Sequence, residues 1–384
     1  MNKPIRIAVD ARCLNRPHLR GIGKVLTKII EYSASHFHWL LMCDRPDLRF
    51  HMPKHPRIDH ICAAQRGFRF NAWEQFRLPS LLKKSKPDIL LCPANSAPLI
   101  QTVPTIVILH DTIPWAADVP SEPQRGKTRS LFDHWAFKKC EAITTISKSS
   151  ADDILKRWPN VNDKLEIIPN GIDRPYLEES HTSLSADLKQ RGIRQPFFIY
   201  CGGSIPRKRA DWAMEAFEAA DLRNTQLVLC GVQESELPPL RHNKPASTQI
   251  ITPGFIPEKE MPCLFQNSLG VLYPTLYEGF GLPAIEAQAS GVACLMSPVS
   301  SLRELVGPGT INLPTHNKKA WTDAIASLYR QNGLPPADAR ASRNWSERYS
   351  WKEPAKQYSR LFHRIAGKSL PMAEASGIPV AKSD

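Results

Sequence analysis

Several absences narrow what this 384-residue chain does. Its nine cysteines include no Cys-x-x-Cys pair, so they frame neither a zinc site nor a disulfide scaffold, and a reducing, cytoplasmic setting is the simple expectation. No stretch approaches the roughly 20 apolar residues of a spanning helix. Residues 1–6 run straight toward a strand without a secretory apolar segment. There is no Asp-x-Asp to hold a divalent cation, so no metal ligands are expected. Helix-turn-helix, zinc-finger and aromatic RNA-binding motifs are missing too, which argues against nucleic acid as a partner.

What is present is the composition of a globular protein, 42% hydrophobic and 23% charged, with length for two domains of about 150–200 residues. The net charge of +13 is uneven. Residues 1–175 hold 27 Lys+Arg against 17 Asp+Glu, a net +10, and residues 176–384 hold 23 against 20, a net +3. A basic N-terminal half matches an anionic lipid surface, with ordinary solvated lysines as the competing reading. Phe68, Phe70, Trp73 and Phe76 interleave with Arg66, Arg69 and Arg77, and Lys83, Lys84 and Lys86 follow. Such a segment either lies on a membrane or packs its rings on a sheet.

Short apolar runs at 5–10, 39–42, 89–92, 105–109, 141–147 and 165–169 alternate with helical segments, the pattern of a doubly wound α/β domain. Gly21-Ile22-Gly23 opens a helix with Ile22, Val25, Leu26, Ile29 and Ile30 at helical spacing. Lacking a third glycine, it is weak evidence for a dinucleotide site. His110 and Asp111 follow the run at 105–109, and ligands bind at that edge of open α/β sheets. A second series starts at residues 196–201, whose strand leads through Gly202-Gly203 to Arg207-Lys208, adjacent cations suited to a diphosphate. After a strand at 269–273 comes a turn with two glycines, and then a helix with Pro283 at its first position, ending near 290. The helix start favours an anionic guest at Gly281, Leu282 and Pro283. Glu278 and Glu286 are spaced to bracket that guest, although acids near a helix start also occur for the dipole's sake alone.

Glu-Gly-Phe-Gly-Leu-Pro-x-x-Glu at 278–286 resembles the paired-glutamate signature of the retaining, GT-B-fold glycosyltransferases of family 4. Pro206-Arg207-Lys208, Asn170-Gly171 and His110 match further family elements, and the resemblance covers roughly residues 5–366. Arg209 stands where the family more often has Asn or Gly. The resemblance implies two Rossmann-like, doubly wound parallel-sheet domains facing a cleft. Residues 1–178 would form the acceptor-side domain, 179–195 a linker and 196–349 the nucleotide-sugar domain. Residues 350–366 would be a helix crossing back to the first domain, with 367–384 a disordered tail.

It also implies roles. Glu278 and His110 would act on the donor sugar. Arg207, Lys208 and the 281–283 turn would hold the diphosphate, and Glu286 the ribose. Gly21 and Gly23 would turn backbone amides toward donor or acceptor, with Asp111 on the acceptor side. No cofactor or metal is implied beyond the nucleotide-sugar donor itself. Arg12, the 21–24 segment and the 110–114 segment resemble bacterial mannosyltransferases of O-antigen and exopolysaccharide assembly. That implies GDP-mannose, a glycan or polyprenyl-linked glycan acceptor, and work at the inner face of the cytoplasmic membrane. The rival readings are a sugar-nucleotide epimerase of the same architecture, a glycosidase, and a non-catalytic basic membrane binder.

Overall fold

The computed structural model describes residues 3–15, 19, 21–45, 55–64, 72–116, 127–179, 183–236 and 248–368. Two parallel sheets organise it. The first has the order β3-β2-β1-β4-β5-β6-β7, with β1 Arg6–Asp10, β2 His38–Cys43, β3 Ile58–Cys62, β4 Ile89–Cys92, β5 Thr105–Leu109, β6 Ala142–Thr145 and β7 Leu165–Ile167. The second has the order β10-β9-β8-β11-β12-β13, with β8 Phe197–Cys201, β9 Thr225–Cys230, β10 Thr248–Ile251, β11 Gly270–Tyr273, β12 Ala293–Met296 and β13 Thr310–Asn312. In both, the order reverses beside the first strand, leaving a crevice at the carboxyl ends of β1/β4 and β8/β11. Their central strands are buried throughout, as helices on both faces require.

The helices used below are α1 Gly21–Ser33, α2 Leu78–Ser85, α3 Lys127–Lys139, α4 Lys148–Arg157, α5 Ala210–Ala219, α6 Met261–Gln266, α7 Leu282–Ala289, α8 Lys318–Gln331, α9 Pro336–Ser346 and α10 Lys352–Ile365. The apolar spacing in α1 does what it predicts, burying Val25, Leu26, Ile29 and Ile30. Helix α10 follows the second domain in sequence but packs on the first. Trp351, Tyr358, Leu361 and Phe362 are buried in the cluster that holds Val9, Leu26, Phe37 and Trp39. Phe362 meets Phe37 and Trp39 edge-on at 5.4 and 5.8 Å between ring centroids. Each such side chain contributes about 1.5–3 kcal/mol of burial, so the chain's end ties the two halves together.

Three details add to the sequence reading. Within the stretch expected as the linker, Leu184, Leu188 and Ile193 are buried against Tyr176 and the second-domain core. Helices α8 and α9 are separated by Asn332 (φ 57) and Gly333 (φ 94). In the basic aromatic segment, Trp73 is fully buried and Phe76 is 71% exposed, while Phe68, Phe70, Arg66 and Arg69 lie outside the described residues. So do residues 369–384, most of the expected tail.

Candidate active site

The turn after β8 is built on glycine. Gly203 takes φ +67, and a Cβ on Gly202 would strike the Tyr200 hydroxyl. Pro206–Lys208 then form a single 3-10 turn, and Arg209 enters α5 at φ +57. That is the left-handed region where Asn or Gly costs least, which explains the family preference from which Arg209 departs. Arg207 is buried. Its guanidinium donates to the Tyr277 carbonyl at 2.6 Å and to Glu278 Oε1 at 3.1 Å, while its own carbonyl accepts from the Leu276 amide. Arg207 thus braces the 274–278 loop as well as supplying charge. Lys208 Nζ, more open, stands 3.4 Å from the same carboxylate oxygen. Thr275 donates to it at 3.0 Å. Burial would raise the Glu278 pKa, but Lys208 and Arg207 outweigh it and hold the acid below the usual carboxylate range.

Glu278 leads into Gly279-Phe280-Gly281. Gly281 is the N-cap of α7 at φ +105, and a Cβ there would collide with Leu302. No side chain caps the helix. Pro283 carries no N–H and the Ala284 amide donates to the Gly281 carbonyl, so the amides at this helix start that could serve an anion are those of Gly281 and Leu282. The loop is fixed from behind by Ser300, which accepts from the Glu278 amide at 2.8 Å. Ser301 donates to the carbonyls of Glu278 and Phe280.

Helix α7 is buried nearly all round, yet it carries Glu286 at 6% exposure. A buried carboxylate needs a partner, and this one comes from the other domain. Lys24 Nζ on α1 lies 2.7 Å from Glu286 and 2.5 Å from Glu258, over the face of Tyr176. Burial, with Glu258 nearby, raises the Glu286 pKa despite Lys24. Burial would lower that of Lys24, but Glu286, Glu258 and Asp173 together raise it. Gly23 packs against Leu19, while the space beside Gly21 is open.

The first domain meets this surface with His110. Its amide donates to Asn95 at 2.7 Å, and its ring Nε2 lies 2.9 Å from the Pro93 carbonyl. Because a carbonyl only accepts, Nε2 carries the proton and Nδ1 keeps a lone pair. Burial lowers the His110 pKa to about 4, so the ring is neutral at physiological pH. Asp111 accepts from the Ile113 amide, which shapes the local turn. A Cβ on Gly279 would sit 2.5 Å from the His110 carbonyl, so glycine there is what lets the two domains touch. Ser147 and Ser150 donate to the Gly279 carbonyl, and Ser150 also to that of His110. Tyr277 donates to Asp153, and Glu304 accepts from the Lys148 and Ser149 amides at the start of α4.

The structure therefore brings Glu278, Arg207, Lys208, Gly281, Glu286 and His110 to one interdomain surface. Sequence reading missed the seams that join it: Lys24 to Glu286, the serines on Gly279, and Glu304 on α4. Of these only Lys24 carried a signal, as the cation next to Gly21-Ile22-Gly23.

The matching turn after β1 has the opposite design. Arg12 is buried, pairs with Asp10 at 2.6 Å and Glu74 at 3.1 Å, and lies over the Trp73 ring. Burial would lower its pKa, but Asp10 and Glu74 raise it. Ser96 donates to Glu74 as well. Glu74 sits in a π-helical turn, Trp73–Arg77, just before α2.

Comparison with known proteins agrees with this two-part layout. Residues 20–174 match the model described as Glycosyltransferase Family 4, and residues 186–348 the one described as Glycosyl transferases group 1. The chain is similar to the O-antigen chain mannosyltransferase RfbU of Salmonella typhimurium, 22% identical over 284 residues, 73% of this chain and 74% of that one. It is also similar to the O-antigen chain mannosyltransferase B of Escherichia coli, 25% identical over 241 residues, 61% of this chain and 62% of that one. Among solved structures it superposes on Anabaena HepE in complex with UDP and glucose with a TM-score of 0.74 at 15% identity, over 94% of its length and all of that chain.

Proposed function

We propose, for a chain that belongs to the family 4 glycosyltransferases and has their GT-B fold, that it moves mannose from GDP-mannose to a glycan or polyprenyl-linked glycan acceptor, with retention at the anomeric carbon. One observation carries the reading. Glu278 carries two cations on its carboxylate, and the next residue, Gly279, meets the backbone carbonyl of neutral His110 in the other domain at a point that admits no side chain. As the glycosidic bond breaks, negative charge grows on the departing diphosphate. Lys208, Arg207 and the Gly281 and Leu282 amides are the groups that stabilise it. In this reading they do the work of a divalent cation, and turnover is unchanged by chelators. Glu286 accepts from the ribose hydroxyls, Glu278 orients hydroxyls of the donor sugar, and His110 Nδ1 accepts from a sugar hydroxyl on the opposite side. The acceptor attacks on the face the diphosphate leaves, and a phosphate oxygen takes its proton. Contact between the domains excludes water from that step.

The test is turnover with GDP-mannose, with UDP- and ADP-sugars as controls and an NMR spectrum of the product. An inverted linkage removes the retaining mechanism. Consumption of donor without acceptor favours the epimerase reading, and hydrolysis of a simple glycoside favours a glycosidase.

An anionic membrane surface is the proposed setting. Phe76, Ile100, Leu131, Phe132 and Trp135 are exposed large apolar side chains of the first domain. Hydrogen bonds gather them around one loop. Gln75 accepts from the Leu99 amide, Lys139 donates to the Leu99 carbonyl, and Gln101 donates to Ala136 on α3. Lys138 and Lys139 close α3, and Lys83 and Lys84 close α2, the charge pattern that suits anionic headgroups. Among the described residues no helix is long and apolar enough to cross a membrane. Sedimentation with vesicles containing phosphatidylglycerol is expected, and the Phe132→Ser, Trp135→Ser double variant should stay in solution. Equal sedimentation of both proteins removes this surface from consideration.

A further inference from the structure

We infer that Lys24 occupies Glu286 when the donor is absent and is released to Glu258 when the ribose binds, so that this lysine sets donor affinity by competing with it. The inference rests on Glu286 being the ribose acid, as proposed above.

The geometry supplies both halves of the exchange. Glu286 is buried on α7 of the second domain, its side chain 8% exposed, and Lys24 Nζ lies 2.7 Å from Oε1. With Oε1 held by an ammonium at that distance, only Oε2 is left open, so a ribose that places one hydroxyl on each carboxylate oxygen has to displace a charge-assisted bond. The ammonium has somewhere to go. Glu258, in the 3-10 turn before α6, is already 2.5 Å away, and its side chain is 58% exposed. Rotation of a flexible four-carbon stem toward Glu258 keeps Lys24 paired throughout and leaves no buried charge bare. Asp173 is engaged by Lys28 at 2.8 Å, and Lys28 also meets Glu31, so the neighbouring acid on that side already has its own cation. Tyr176 lies under Lys24, 5.6 Å from the ring centroid, and confines the stem. Lys24 belongs to the helix that Gly21 and Gly23 open, so the same swing reports donor occupancy of the second domain to the cleft-facing turn of the first.

Competition of this kind has a signature that a merely structural lysine lacks. It predicts opposite signs for two substitutions in one ion cluster. Nucleoside diphosphate binding to the full chain is measured by calorimetry with GDP and UDP, and with the matching 2′,3′-dideoxy nucleotides. Lys24→Met is expected to tighten binding of the ribonucleotides by at least about five-fold, the low end of ordinary coupling between sites. It should leave the dideoxy nucleotides unchanged. Glu258→Gln removes the waiting partner and is expected to weaken ribonucleotide binding, and Lys24→Arg to stay near wild type. Weaker binding by Lys24→Met means that Lys24 grips the donor directly and overturns the inference. So does an equal change for ribo- and dideoxy-nucleotides, or binding that neither substitution alters. If no nucleoside diphosphate binds the wild-type chain at all, the donor-site reading itself fails.

Discussion

The turns after β1 and β8 occupy equivalent places in sheets of matching strand order, yet they use charge in opposite ways. After β1 one cation, Arg12, is enclosed by two acids, Asp10 and Glu74, and all three are consumed in holding the domain together. After β8 two cations, Arg207 and Lys208, share one acid, Glu278, and the more open of them keeps capacity for another anion. A fold fixes where a ligand goes, at the strand ends. The ratio of cation to acid at that place decides whether the charge serves the fold or serves a guest.

The sharpest way to break this contrast is at Lys208. Lys208→Ala is expected to lower kcat/KM by about 10²–10³, the usual cost of removing one preorganised charge stabiliser, with little change in melting temperature. Steady-state kinetics with the donor measures it, and wild-type turnover would sink the assignment of that turn. Arg12→Met should show the reverse. It strands two buried carboxylates and is expected to cost about 3–5 kcal/mol of stability, read from denaturant midpoints.

The neutral ring of His110 gives the next effect. Its pKa is about 4 when folded against roughly 6.5 when unfolded. The unfolded chain therefore binds the extra proton between those values, and stability falls as pH drops through that window. The loss approaches about 3 kcal/mol near pH 4, and His110→Asn should flatten the slope. Glu278, held low by Lys208 and Arg207 against its burial, adds a further loss only below the ordinary carboxylate range. The smallest effect sits at Arg209. Arg209→Gly relieves a left-handed backbone and should gain up to about 1 kcal/mol, offset in part by losing the exposed pair with Asp211 and the stacking over Trp212.

Much of this was legible in the chain itself. The central strands announce themselves as apolar runs because both of their faces are covered. β3, β10 and β13 do not, since they lie toward sheet edges. β3 is half exposed, with Asp59 and His60 in its middle, and β13 is three residues long. Glu278, Glu286, Arg207, Lys208 and His110 were legible because strand-end turns and helix starts are local patterns. Lys24 on Glu286 spans 262 positions. It depends on how two domains face each other, which no local periodicity encodes. Arg207 was legible as a cation but not as a brace, because its bond to the Tyr277 carbonyl exists only once the loop is folded.

The acid at 304 has a consequence for motion. The first two amides of α4 belong to one domain, and the oxygens that satisfy them belong to the other. Whenever the halves swing apart, Lys148 and Ser149 are handed to water. Deuterium uptake at those two amides therefore keeps time with the breathing of the enzyme, and a nucleotide that draws the halves together should slow the clock.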